Sequence, residues 1–231
     1  MNIEVFNKEG VSSLLMINMD ETPIYFDMQR NYTYHWRGDK TVSLARTNGF
    51  KKRVTVCLTI LSDGRKLPPL IIFKRKQPPA NPLSKQVQVA AQVNGWITET
   101  IMKDWVNNIY KKMKLPLKTV KLLLLDHCSA HIKDSVKTLI QEEGHLDFIP
   151  PGTTSLIQPL DLMINKSFKE NLKTDYCQWL EKEGLKDKNK TARGYYKAPS
   201  YSKIIRMVND SWKLISPELI EQSFKYSGNN Y

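Results

Sequence analysis

Val120–His131 reads VKLLLLDHCSAH, and this stretch decides the fold. Four consecutive leucines, Leu122 to Leu125, end in Asp126. An unbroken apolar run of this length is the pattern of a strand buried on both faces, as at the centre of an α/β sheet. An unpaired carboxylate is costly inside such a strand, so Asp126 marks its carboxyl end. Ligand sites of open α/β sheets lie just beyond the carboxyl ends of strands. By itself Asp126 is equally a residue that opens the turn to the next helix; two further aspartates favour a site.

Working outward, Ser12–Asp20 (SSLLMINMD) is a second buried strand that ends in a carboxylate. Glu21, Thr22 and Pro23 are expected to stop it. Arg53–Ile60 (RVTVCLTI) is rich in β-branched residues, Ser62-Asp63-Gly64 is a turn signal, and Leu70–Phe73 is a short strand, together a meander. Val87, Val89 and Ala91 alternate with polar residues as in an edge strand. Residues 98–114 form the first helix, with Thr98 as N-cap and Met102, Trp105, Val106, Ile109 and Met113 on one stripe. A helix carrying Val136, Leu139 and Ile140 follows the central strand and is closed by Gly144, before a short strand at 146–149.

Pro150–Asp161 (PPGTTSLIQPLD) is a turn-rich loop that delivers Asp161 to the start of a long helix. A helix-start aspartate also complements the helix dipole, which alone would account for it. Ile164, Phe168, Leu172, Tyr176 and Leu180 are spaced by four along that helix, and Lys166, Lys169 and Lys173 are expected on another face. This divides the chain into a core at 1–182, a basic linker at 183–200 and a helical extension at 201–231.

Thirty-five Lys and Arg against 23 Asp and Glu give a net charge of +12. That excess suits a polyanionic partner, most simply nucleic acid. The positive clusters are Lys51, Lys52 and Arg53; Lys74, Arg75 and Lys76; and Lys166, Lys169 and Lys173. Between residues 24 and 53, Tyr25, Phe26, Tyr32, Tyr34 and Trp36 are interleaved with cations, a pattern that serves base stacking and phosphate contact or one face of a hairpin. Cys57, Cys128 and Cys177 lack the spacing of a disulfide framework or a zinc motif and read as reduced core thiols. No signal peptide and no apolar span near 18 residues is present, so a membrane or secreted protein is not expected.

The order of elements is that of a ribonuclease H-like α/β fold, a central mixed sheet with helices on both faces. Asp20, Asp126 and Asp161 stand at its junctions. Three converging carboxylates are suited to two divalent ions about 3.5–4 Å apart, and hard oxygen ligands select Mg²⁺ or Mn²⁺.

The chain also resembles the catalytic domain of pogo/Tigger-type DDE transposases, the superfamily that includes mariner elements. The resemblance covers almost all of it: MDET at 19–22, DGRKLPPLIIFKRK at 63–76, NGW at 94–96, LLLLDHCSAH at 122–131, IPPGTTSLIQPLDLMINKSFK at 149–169 and SWKLISPELIEQSFKYSG at 211–228. The third catalytic block, at 149–169, is the most specific. The resemblance implies a catalytic, metal-holding triad of Asp20, Asp126 and Asp161, with 34 residues (127 to 160) between the last two. The third member is Asp, as in the pogo branch. It further implies DNA as partner, a nuclear location and a homodimer in a strand-transfer complex.

Two departures stand out. Family members carry helix-turn-helix domains before this core, whereas 19 residues precede Asp20, so the part that recognises transposon ends is expected to be missing. His127 stands where many relatives have a small polar residue. The expected activity is metal-dependent cleavage and joining of DNA strands. A domesticated, catalytically silent nuclear DNA-binding or chromatin protein is the second reading. A true ribonuclease H is a third, with no sequence feature for an RNA–DNA hybrid.

Overall fold

The computed structural model describes residues 13–28, 37, 47–49, 51–81, 83 and 85–228. Tyr32, Tyr34 and Trp36, which carry the aromatic part of the 24–53 expectation, lie outside the described residues. A six-stranded sheet runs in the order β4-β3-β2-β1-β5-β6. Its strands are β1 (Ser13–Tyr25), β2 (Arg53–Leu61), β3 (Leu70–Lys74), β4 (Gln88–Gln92), β5 (Thr119–Leu125) and β6 (His145–Phe148). β1, β2 and β3 pair antiparallel as a meander, while β1–β5, β5–β6 and β3–β4 pair parallel. This is the expected mixed sheet.

β1 does not stop at Asp20, as expected from the Glu-Thr-Pro sequence, but continues through Pro23 to Tyr25. The pairing explains why. β5 leaves β1 after Asn18↔Leu124, whereas β2 accompanies β1 to Tyr25↔Arg53. Pro23 therefore lies where β1 has an open edge, and a missing N–H there costs no ladder bond. Asp20 thus sits within a strand, at the level where its neighbour β5 ends.

Alternation along β1 assigns its side chains to two cores. Met16 and Ile24 face one core, shared with Phe168, Leu172 and Tyr176 of α4 (Asn165–Trp179), Ile204, Ile205 and Trp212 of α5 (Tyr201–Lys213), and Ile220 and Phe224 of α6 (Pro217–Tyr226). Leu15, Ile17 and Met19 face the other, with Trp105 and Val136. Trp105 ends α1 (Glu99–Trp105) and Val136 lies in α2 (Asp134–Gln141). Helices therefore cover both faces.

Thr98 caps α1 by accepting from the Ile101 N–H at 3.4 Å. The helix then widens into a π turn at Val106–Tyr110 and ends sooner than the apolar stripe suggests. Gly144 does not close α2, which ends at Gln141; its role is close approach, since a Cβ there would lie 2.7 Å from the Lys121 carbonyl oxygen of β5. The basic segment at 183–200 is tied down: Asn189 donates to the Glu183 carbonyl at 2.6 Å, Lys197 N–H to Asn189 O at 2.8 Å, and Ala198 N–H to Asn48 Oδ1 at 2.9 Å. No helix among the described residues is long and apolar enough to cross a membrane.

Candidate active site

Asp20 has the parity of Met16 and Ile24 in β1 and faces α4. Asp126 follows Leu125 at the end of β5, where the register Asn18↔Leu124 extrapolates to Asp20 beside Asp126. The third carboxylate comes from far along the chain. The segment before α4 contains α3 (Thr154–Ile157) and a π turn, Leu160–Ile164, that carries Asp161. Asn18, wholly buried, positions this turn: its Nδ2 donates to the Leu124 carbonyl of β5 at 3.1 Å, and its Oδ1 accepts the Leu160 N–H at 3.1 Å. One amide thus joins β1, the end of β5 and the residue before Asp161.

Asn165, one helical turn after Asp161, completes the cluster. Its Nδ2 donates to Asp20 Oδ2 at 2.8 Å and to Asp161 Oδ1 at 2.9 Å. The charges act on each other. Burial, together with the Asp161 carboxylate, pushes the Asp20 carboxyl up to about 6; the Asn165 bond opposes this and the Asp126 charge adds to it. Among the described residues no Lys or Arg pairs with Asp20, Asp126 or Asp161. Like charges brought together without a basic partner, on hard oxygen donors, fit a Mg²⁺ or Mn²⁺ site.

The loop after Asp126 folds back on it. Cys128 N–H donates to Asp126 Oδ1 at 3.1 Å, and His131 Nδ1 lies 2.7 Å from the same oxygen. The His131 hydrogen bond holds the Asp126 carboxyl below the usual range, against the effect of burial. Glu21 points to the opposite face of β1 from Asp20, and its Oε1 is 3.7 Å from His131 Nε2. Burial pushes Glu21 up to about 7, with His131 opposing and the Asp126 and Asp20 charges assisting.

Two of the basic clusters are grouped at a distance from the carboxylates. Arg53 opens β2 opposite Tyr25, and Lys74 ends β3 next to it, so Lys51–Arg53 and Lys74–Lys76 share one end of the sheet. That end is five residues, roughly 17 Å, along β1 from Asp20. Arg53 lies over the half-exposed Trp96 ring at 4.2 Å, and Arg75 over Tyr201 at 5.0 Å. Lys169 and Lys173 lie on another face of α4 than the buried Phe168, Leu172 and Tyr176, and continue the spacing of four from Asp161 and Asn165. With Pro23, Tyr25, Asp27 and Leu172 they line a cleft of about 180 Å³ beside the open half of β1. Lys166 is exposed on α4.

Neither Asn18 nor Asn165 is among the residues to which the sequence points. The available signal for Asn165 was its position four residues after Asp161; Asn18, inside an apolar run, offered only that it is a polar residue where burial is expected.

A meander flanked by parallel strands, with one carboxylate inside the central strand and another beyond its parallel neighbour, defines the ribonuclease H-like class. The Mos1 mariner paired end complex with Mn has the same fold, with a TM-score of 0.61 over 93% of this chain and 53% of that one, at 13% identity. The chain belongs to the family described as DDE superfamily endonuclease, which matches residues 51–224 and so includes Asp126 and Asp161. It is 32% identical over 213 residues to the human Pogo transposable element with KRAB domain, and 30% identical over 213 residues to the mouse protein of that name; each match covers 91% of this chain and 34% of the relative. The chain therefore spans about a third of the length of these relatives.

Proposed function

We propose that this chain is the catalytic core of a DNA-cleaving and strand-joining enzyme in which Asp20, Asp126 and Asp161 hold two divalent ions, Mg²⁺ or Mn²⁺. The observation that carries the reading is the Asn165 amide bridging Asp20 and Asp161 at 2.8 and 2.9 Å. It joins carboxylates 141 positions apart (161 − 20) in one partly buried cluster that no Lys or Arg pairs with among the described residues.

Two bound ions would supply an activated water or 3′-hydroxyl and stabilisation of the leaving oxygen. The protein's own part is placement. Asp20 is fixed by the sheet, Asp126 by His131 and the Cys128 N–H, and Asp161 by the Asn18–Leu160 bond that seats its turn. Lys169 and Lys173 would guide the phosphodiester backbone along the cleft beside β1, and Lys51–Arg53 with Lys74–Lys76 would hold duplex farther out. These contacts read phosphates, not bases. Activity in the nucleus and a homodimer for strand joining belong to the same reading.

The test is nicking of supercoiled DNA by the purified chain. Weak, sequence-indifferent nicking is expected with Mn²⁺ or Mg²⁺, abolished by EDTA and by Asp161→Asn. Binding to DNA without nicking under any divalent ion would favour a silent DNA-binding protein built on the same fold.

A further inference from the structure

On the opposite face of β1 from Asp20 lies a second group of ligating side chains. A carboxylate oxygen of Glu21, the Cys128 sulfur and a ring nitrogen of His131 lie within 4.8 Å of one another. His131 is 1% exposed, and its Nε2 has no hydrogen-bond partner. The nearest carboxylate, Glu21 Oε1 at 3.7 Å, is beyond hydrogen-bond reach. A buried polar nitrogen left this way needs an explanation.

We propose that Glu21, Cys128 and His131 bind a single divalent transition-metal ion of the zinc class, separate from the carboxylate site. Thiolate, imidazole and carboxylate together are a borderline-soft donor set that suits Zn²⁺ and not Mg²⁺. The surrounding groups match the requirement for oriented ligands. Asp126 Oδ1 accepts from His131 Nδ1 at 2.7 Å, which turns the Nε2 lone pair toward Glu21 and Cys128. A carboxylate behind a ligating histidine is the usual way such a ring is held. On binding, the Cys128 thiol loses its proton to solvent and three protein ligands leave a fourth position for water. The ion would lock the 126–131 loop to β1 and so brace Asp126. No linear motif announces the set, because one ligand comes from β1 and two from a loop more than a hundred residues later.

Cobalt is the probe, since a thiolate ligand adds a sulfur-to-cobalt charge-transfer band that oxygen ligands do not. The full chain, stripped with chelator and kept reduced, is titrated with Co²⁺ and then with Zn²⁺. The expected result is a band that saturates at one equivalent and disappears when Zn²⁺ displaces the cobalt. Cys128→Ser should remove the band. Asp126→Asn should weaken binding by about 10- to 100-fold. Asp161→Asn should retain it, which makes the outcome independent of the nuclease reading. If Cys128→Ser alters the far-ultraviolet dichroism, Glu21→Gln at its partly buried position takes its place, with binding expected to weaken. The site is overturned if the wild-type chain gives no sulfur band, if the band survives Cys128→Ser, or if Asp161→Asn abolishes it. Glu21, His131 and Asp126 would then be a plain ionic triad.

Discussion

Asn18 in the centre of β1 accepts the backbone N–H of Leu160, 142 positions later, at 3.1 Å. Its other end donates to the Leu124 carbonyl at 3.1 Å. Both bonds are buried, and together they set the turn bearing Asp161 against the strands bearing Asp20 and Asp126.

Asn18→Ala leaves two buried backbone groups without partners. The expected cost is about 2–6 kcal/mol in unfolding free energy, from roughly 1–3 kcal/mol per unsatisfied group. Urea unfolding of the variant measures it. A loss below about 1 kcal/mol would show that Leu160 N–H and Leu124 O find other partners.

Asp20→Asn should stabilise the metal-free chain while abolishing nicking. The folded-state carboxyl titrates near 6, above its ordinary value of 3.8. The folded chain therefore holds a proton that the unfolded chain has released, and stability falls as pH rises from about 4 to about 6. Below that window the charge contributes nothing; above it the full penalty applies. Thermal melts in EDTA should show the Asn variant more stable by about 1–3 kcal/mol at pH 7.5 and equal to wild type near pH 3.5. A gain that is the same at both pH values would mean that charge is not the cause.

Gly144→Ala should destabilise the fold by about 1–3 kcal/mol. The added Cβ would meet Lys121 O at 2.7 Å and Lys121 Cβ at 2.8 Å, and the backbone oxygen has no room to move within the sheet. Gly152→Ala is a useful contrast: its φ of +81° strains an added side chain, but nothing lies within 4 Å. Its expected cost is nearer 1 kcal/mol, from backbone conformation alone.

Binding to DNA should depend steeply on salt and little on sequence. Each phosphate contact contributes roughly 0.9 to the slope of log affinity against log salt. Lys169→Glu with Lys173→Glu should lower the slope by about two contacts, and reversal of Lys74, Arg75 and Lys76 by about three, with the carboxylate cluster unaltered. Fluorescence anisotropy with several unrelated duplexes over a salt series decides it. A thousandfold preference for one duplex would reveal base-specific recognition.

The sequence by itself determined the α/β class, an interior strand ending at Leu125 and the three aspartates as candidate ligands. These rest on local rules: the Leu122–Leu125 run is buried wherever it is placed, and a carboxylate at its end must sit at a border. Family motifs at 122–131 and 149–169 carried the same information in another form. Tertiary structure decided what those rules cannot reach. β1 passes through Pro23 because β5 has already left its side, a fact about a neighbour and not about β1. Lys169 and Lys173 line a cleft with Pro23 and Tyr25 because α4 packs beside the open half of β1. The bond from Asn18 to Leu160, the Asn165 bridge and the Glu21–Cys128–His131 group join residues a hundred or more positions apart. No periodicity in the chain records such contacts, because they arise only when the strands pair and the helices close over them.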